Sequence, residues 1–583
     1  MKIFVADKMT AIGGKRMKKI IALLLGVASA FALASCKGSG DGGEEASSSS
    51  RASLGWEYSD DEEISETSET SETSESSDEG SSETGHTHTL TKTDGVEPTC
   101  LAKGSITYWT CSDCQLMFAD EACTQEITEA DIPLDKSAHH LTHHAEVPYT
   151  RTEDGVMEHW TCDDCEKYFA NETGTRRINQ KDTIVYTPFV IPDFVVDIPE
   201  GRDPVVLQLT DPQIIDATQG SFSSGYNQIW APDQREERCF DYLTEIITAA
   251  NPDFIILTGD MVHGTYDHTG TSFLALIEYM ESWQIPWAPV FGNHEAESKK
   301  GVDWQCEQLE NAKYCVFEQK ELSGNGNYSV ALAQGNKINR VFYMMDTNAS
   351  TEASAESLAN GHTPNDYCGI KPDQIAWCRE QLTELRKRAP EVKVSFAYHI
   401  QPMVFATALS QYGFNQNQPQ HTINLDTMAG VKEGDFGYIG RNLIGPWDNS
   451  NSMFNEMKGL GMDSIFVGHV HYNTASVMYN GVRLHYGVKS SEYDQINAID
   501  LTTGGISAKD HVPEGMAPVI GGSIITFSEE DGSLVDIHNH YCTDRSGSGK
   551  ISNGQIHWSM FGTTNAKAIA PRKEYVVLTK QYV

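Results

Sequence analysis

Five short stretches of this 583-residue chain hold side chains that could bind and activate a ligand. They are Asp211-Pro212-Gln213, Gly259-Asp260, Gly292-Asn293-His294-Glu295, Tyr398-His399 and Gly468-His469-Val470-His471. Carboxylate and amide oxygens suit hard cations, and imidazoles suit Zn, Fe or Mn, so the mixture points to a pair of metal ions. Two cations about 3.5–4 Å apart repel unless an anion lies between them, which calls for a shared carboxylate. The glycines before Asp260, Asn293 and His469 let the backbone turn and come close to such ions.

These stretches can converge only if the elements before them lie side by side. Each follows a short apolar run: Val205–Leu209, Phe254–Leu257, the run before Gly292, Val392–Tyr398 and Ile465–Val467. Amphipathic helices are expected between them at Arg235–Ala250, Phe273–Trp283, Pro372–Arg388 and Met453–Leu460, with a further strand at Val341–Met345. Short apolar strands alternating with helices indicate an α/β fold, in which ligands sit beyond the carboxyl ends of the strands. Gly522–Phe527 and Leu534–His538, flanking the turn Glu530-Asp531-Gly532, are expected to complete the sheets. The insertions 296–340 and 400–450 give no clear reading.

Gly-Asp, Gly-Asn-His-Glu and Gly-His-x-His in this order resemble the calcineurin-like metallophosphoesterase superfamily over about 203–500. Several passages are similar to its compact purple-acid-phosphatase-like class: Pro252-Asp253-Phe254, Pro286 through His294, Ile370 through Ile375, Tyr398-His399-Ile400 and Gly481 through Gly487. The resemblance implies a four-layer α/β/β/α sandwich over 200–542. It also implies that Asp211, Gln213, Asp260 and His471 hold one metal, and that Asp260, Asn293, His399 and His469 hold a second. The ions would be Fe, Zn or Mn. Asp260 would bridge them, a water or hydroxide between them would attack a phosphate ester, and His294 would face the substrate. Gln213 stands where many members have His, and would offer a neutral amide oxygen that binds metal one more weakly. His263 stands where purple enzymes place a metal-bound Tyr, and is expected to be an outer or pocket residue. The default for His268 and His485 is a surface or outer position.

Upstream, a duplication with a period near 51 residues spans 86–136 and 137–190. Tyr108-Trp109-Thr110-Cys111-Ser112-Asp113-Cys114 is echoed by His159-Trp160-Thr161-Cys162-Asp163-Asp164-Cys165. Units this small need a staple, and Cys-x-x-Cys with a further Cys and a His suits structural zinc. The first copy offers His88 (or His86), Cys100, Cys111 and Cys114. The second offers His140, Cys162 and Cys165, with His143 or His144 available because Thr150-Arg151 stands where Cys100 would recur. Disulfides are the alternative in an exported protein, and Cys306/Cys315 and Cys368/Cys378 are also spaced for local bridges.

Lys15, Arg16, Lys18 and Lys19 precede the apolar run Ile20–Leu33, the pattern of an export signal over 1–36. Leu33-Ala34-Ser35-Cys36 resembles a bacterial lipobox, which implies lipidation of Cys36 and a lipid-anchored location on the outer face of a bacterial membrane. Residues 37–85 carry 15 acidic and two basic side chains, with Ser-Glu-Thr repeated. That composition indicates a disordered, extended spacer. The chain has 43 Lys plus Arg against 82 Asp plus Glu, a net charge of −39, which argues against a nucleic-acid partner. No 18-residue apolar stretch is present to span a bilayer. Residues 543–583 are a tail without a functional reading, and no oligomeric state follows from the sequence. The expected activity is hydrolysis of small phosphate esters, with monoesters favoured. The alternatives are a phosphodiesterase or an inactive surface-binding lipoprotein.

Overall fold

A computed structural model describes residues 87–216, 219, 235–348, 369–415, 422–440, 451–509 and 515–542, together with the short strands Lys550–Ser552, Gln555–His557 and Val577–Thr579. The export signal, Cys36, the acidic spacer and Cys368 lie outside the described residues, as does most of the tail.

The phosphate-ester-type domain expected from the sequence is built on two sheets. The first contains β1 (Val205–Leu209), β2 (Phe254–Thr258) and β3 (Trp287–Val290), all parallel. The hairpin Gly521–Phe527/Leu534–Tyr541 extends it antiparallel from β1. In the second, β4 (Lys337–Met344), β5 (Lys393–Ala397), β6 (Met462–Val467) and β7 (Val482–Tyr486) run parallel. Tyr328–Gln334, Phe194–Asp197 and Val577–Thr579 continue beyond β4, so part of the tail is a sheet edge.

Alternation along β4 shows the layering. Phe342 and Met344 enter the core shared with β1, β2 and the helices Arg235–Ala250 and Thr271–Ser282. Val341 and Tyr343 face the opposite way, toward Leu382 and Leu385 of helix Pro372–Arg388 and Met457 of helix Ser452–Gly459. The order is therefore helix, sheet, sheet, helix. Successive strand residues point to opposite faces, so a strand buried on both reads as a nearly continuous apolar run, as Phe254-Ile255-Ile256-Leu257 does. Pro372 opens its helix at a position that needs no N–H donor, and Arg386, Lys387 and Arg388 close it against the negative end of the dipole.

The insertion 296–340 contains helix Val302–Asn311 and the fully buried strand Tyr328–Gln334. The small residues of Ser329-Val-Ala-Leu-Ala333 give that strand little apolar contrast in the sequence. Cys306, Cys315 and Cys378 are unbridged; Cys306 Sγ faces Gln319 Oε1 at 3.6 Å and Cys378 Sγ faces Met345 Sδ at 3.3 Å. His485, expected at a surface or outer position, is not at the surface: it is fully buried between the rings of Phe436 and Phe466.

The two upstream copies repeat one fold. Leu90–Thr93 pairs with Tyr108–Cys111 in the same register as Leu141–His144 with His159–Cys162, and in both copies two further short strands extend this sheet while another two pair separately. Among the described residues, no helix is long and apolar enough to cross a membrane.

Candidate metal centre

Because β1, β2, β3, β5 and β6 are parallel within their sheets, the residues after them gather along one edge. The turn after β1 holds Asp211, that after β2 holds Asp260, and that after β3 holds Asn293. His399 follows β5, and His469 and His471 follow β6. Asp211, Asp260 and His399 are essentially without solvent exposure. Asp211, Gln213, Asp260 and His469 all have positive φ (50°, 44°, 50° and 68°), a conformation that is costly for residues with a Cβ and that concentrates at functional sites. Close approach explains Gly292: a Cβ there would lie 2.1 Å from Asp260 Oδ1.

The imidazoles are oriented from behind. His399 Nδ1 donates to Thr258 O at 2.8 Å, which leaves the Nε2 lone pair facing Asp260 Oδ2 at 3.2 Å and Asn293 Oδ1 at 3.1 Å. His471 Nδ1 donates to Gln495 O at 2.8 Å, and its Nε2 faces Asp211 Oδ1 at 3.1 Å. Backing of this kind is how metal-binding histidines are held. In each place acceptor atoms converge, and only positive charge reconciles them.

The electrostatics express the same demand. Burial would raise Asp211, but His471 more than reverses it and brings it to about 2. Burial acts likewise on Asp260, and His399 and His294 hold it well below the usual carboxylate range. His399 is pushed down by burial and then pulled up to about 10 by Asp260 and Asp211. Burial, reinforced by the charge of His399, takes His469 down to about 3 and keeps its ring neutral. A proton on His399 satisfies part of this demand, and divalent cations would satisfy it more fully. Donor atoms of Asp211, Asp260 and His471 lie within 4.8 Å of one another, as do those of Asp260, His399 and His469. Asp260 is common to both groups, so the donor set fits two cations with a shared carboxylate.

Gln213, expected as a ligand to metal one, bonds Lys489 and Asp260 in this structure. Lys489 Nζ, which can only donate, lies 2.6 Å from Gln213 Oε1 and 3.0 Å from Asp211 O. The opposite end of the amide, Nε2, donates to Asp260 Oδ2 at 3.2 Å. Both contacts require the same orientation, so Gln213 turns its N–H toward the carboxylates and its oxygen away. It ties Lys489 to Asp260.

His294 lies at the mouth of this cluster, with Nε2 3.8 Å from Asp260 Oδ2 and Nδ1 2.9 Å from Glu297 Oε1. Burial would lower it, but Asp260 and Glu297 raise it to about 9. His263 packs on it with ring centroids 4.1 Å apart and reaches Glu297 Oε2 at 3.3 Å. His268 lies in the neighbouring loop, its Nδ1 accepting from Lys299 N at 3.4 Å. Two contributors went unassigned in the sequence. Glu295 accepts the backbone N–H of Gly292 at 2.7 Å and that of Met261, so it joins the turns after β2 and β3; burial and Asp260 raise it to about 8. Lys489 follows β7 on the same edge, and its place three residues beyond that strand was the available signal.

In the upstream copies, Cys100 does not join His88, Cys111 and Cys114. Those three lie within 4.8 Å of one another, and Cys100 groups instead with Cys162 and Cys165 of the second copy. The histidine of that second group is His139, 51 residues after His88, and not His140, which pairs with Asp164 at 3.0 Å. His143 and His144 bond Glu158 and Thr161.

Residues 204–473 match the family described as calcineurin-like phosphoesterase. The chain is 24% identical over 238 residues to Phosphatase DCR2 of Saccharomyces cerevisiae, covering 40% of this chain and 38% of that protein. It is 25% identical over 146 residues to an uncharacterized protein of Schizosaccharomyces pombe, covering 25% of this chain and 26% of that one. The chain thus spans well under half the length of these relatives. Among solved structures, it is similar to a dimetal phosphatase from Danio rerio (11% identity, 58% of this chain and 99% of that chain, TM-score 0.33). It is also similar to a purple acid phosphatase from yellow lupin seeds (11% identity, 78% and 74%, TM-score 0.29). The segment that matches the calcineurin-like phosphoesterase family, 204–473, is the one that carries the ligand-type residues on one edge of a two-sheet sandwich.

Proposed function

We propose that this chain hydrolyses small phosphate esters, monoesters preferentially, with two metal ions held at the sheet edge. The convergence of two backed imidazole lone pairs on Asp260 and Asp211 carries this reading. Asp211, Asp260 and His471 would hold one ion. Asp260, Asn293, His399 and His469 would hold the other, with Asp260 between them. When bound, the ions supply Lewis acidity toward the phosphoryl oxygens and activate a water for in-line attack.

The chain's own residues do the rest. Thr258 O and Gln495 O fix the tautomers of His399 and His471, so no reorientation is needed during turnover. His294, held charged by Asp260 and Glu297, neutralises a phosphoryl oxygen and can pass its Nε2 proton to the leaving alkoxide. Glu297 and His263 keep the ring from swinging away. Lys489 and Gln213 add fixed positive character behind Asp211 and Asp260.

The lipobox-like Leu33-Ala34-Ser35-Cys36 after an apolar run supports an exported, lipid-anchored enzyme; a Cys36→Ser chain that still partitions into detergent would refute the anchor. For the activity, purified protein supplied with Mn, Zn or Fe is assayed on aryl phosphate mono- and diesters. Turnover with monoesters ahead of diesters is the expected result. An inert protein under every metal leaves only the binding-lipoprotein reading.

A further inference from the structure

Four side chains from the two upstream copies converge in a cluster that shares no residue with the sheet edge. Cys100 Sγ lies 3.7 Å from Cys162 Sγ, and Cys165 Sγ lies 3.6 Å from His139 Nδ1. All four donor atoms fall within 4.8 Å of one another. A disulfide needs sulfurs at about 2.05 Å and is not formed here. Tetrahedral zinc, with Zn–S about 2.3 Å and Zn–N about 2.0–2.1 Å, places neighbouring sulfurs about 3.8 Å apart and sulfur and nitrogen about 3.6 Å apart. The observed spacings are those of a tetrahedral shell.

The surroundings of Cys162 suit a thiolate ligand. The backbone N–H groups of Asp164 and Cys165 point at the Cys162 sulfur, as donors do in a Cys-x-x-Cys turn that holds charge. His139 packs on Phe169 at 4.6 Å, just as His88 packs on Phe118 at 4.9 Å, so the ring positions repeat between copies. Neither copy has the core to fold on hydrophobic burial alone.

We propose that Cys100, His139, Cys162 and Cys165 form a structural zinc site that clamps the first copy to the second. Binding releases the thiol protons to solvent, and no redox step is involved. Position 100 then acts as a handover point. Its counterpart 51 residues on is Arg151, which bonds Asp197 at 3.0 Å and Gly335 O at 2.6 Å in the phosphoesterase domain. The first copy uses this position to complete the next copy's metal site, and the second uses it to grip the domain that follows.

The test is cobalt substitution of the full chain, read by sulfur-to-cobalt charge-transfer absorption, to which the oxygen and nitrogen donors of the sheet edge contribute nothing. In a Cys111→Ser/Cys114→Ser background, the remaining signal belongs to the proposed site. Adding Cys100→Ser should cut it by about one third, as three thiolates become two, weaken cobalt binding more than tenfold, and open the 135–138 junction to protease. Phosphoesterase turnover should be unchanged. Cys100→His should restore tight binding with an altered spectrum, which separates ligand loss from misfolding. An unchanged spectrum in Cys100→Ser would overturn the proposal, as would a Cys100–Cys162 disulfide found by mass spectrometry of the unreduced protein.

Discussion

The two ligand-rich regions of this chain are built in opposite ways. At the sheet edge a large apolar frame comes first: Phe254–Thr258 and Met462–Val467 are buried strands whose ends deliver Asp260 and His469 into strained, positive-φ positions. In the upstream copies there is little frame, and the thiols and imidazoles lie on strands of two to four residues and their turns. The fold holds the ligands in the first case, and the ligands hold the fold in the second. The donors differ to match. Carboxylates and amides grip loosely enough for exchange and substrate access, whereas thiolates grip for keeps.

If the frame carries the sheet edge, changing a ligand there should destroy chemistry and spare stability. Asp260→Asn should lower kcat/KM by about 10³-fold or more, with only a modest fall in melting temperature, because His399 loses its anionic partner but can give up its proton. A collapse in melting temperature would break the contrast. His294→Ala should cost about 10²–10³ in kcat and leave metal content at the wild-type level. Loss of metal together with activity would make His294 a ligand.

The frame has its own weak point in His485, whose two ring nitrogens are buried without hydrogen-bond partners. Burial, with a smaller push from Arg483, takes it from the usual 6.5 to about 3. The unfolded chain therefore binds a proton that the folded chain refuses. The stability contributed by the neutral ring is present above about pH 6.5 and lost as pH falls toward 3. His485→Phe, between Phe436 and Phe466, should remove roughly 2–3 kcal/mol of acid sensitivity near about pH 4.5, measured by denaturant melts across pH. A parallel loss in both proteins would refute it. The smallest effect should come from Gln213→Ala. Its oxygen faces Lys489, so metal affinity should fall by less than about tenfold, a fraction of a hydrogen bond to a charged group. A larger drop in calorimetric titration would restore Gln213 as a ligand.

Strand ends were legible in the sequence where a buried parallel strand gives an unbroken apolar run, as at Phe254-Ile-Ile-Leu257. Helices Arg235–Ala250 and Pro372–Arg388 were legible to their end residues because polar and apolar faces alternate cleanly and Pro marks one start. What escaped depends on partners distant in the chain. Nothing local says that Lys489 meets Gln213 across 276 positions, or that Cys100 reaches Cys162 across 62. The strict 51-residue period would have chosen His139 over His140, since equivalent positions in a repeat share a register. Strand Tyr328–Gln334 escaped because Ser and Ala dilute its hydrophobic signal.

The central claim is a pair of ions sharing Asp260. Titrating the full chain with Mn²⁺, a hard ion that thiolates bind poorly, and recording electron paramagnetic resonance tests it most directly. Two equivalents with an exchange-coupled spectrum that Asp260→Asn converts to isolated Mn²⁺ is the predicted result. Binding of none or one, or two uncoupled ions in the unaltered protein, would contradict it.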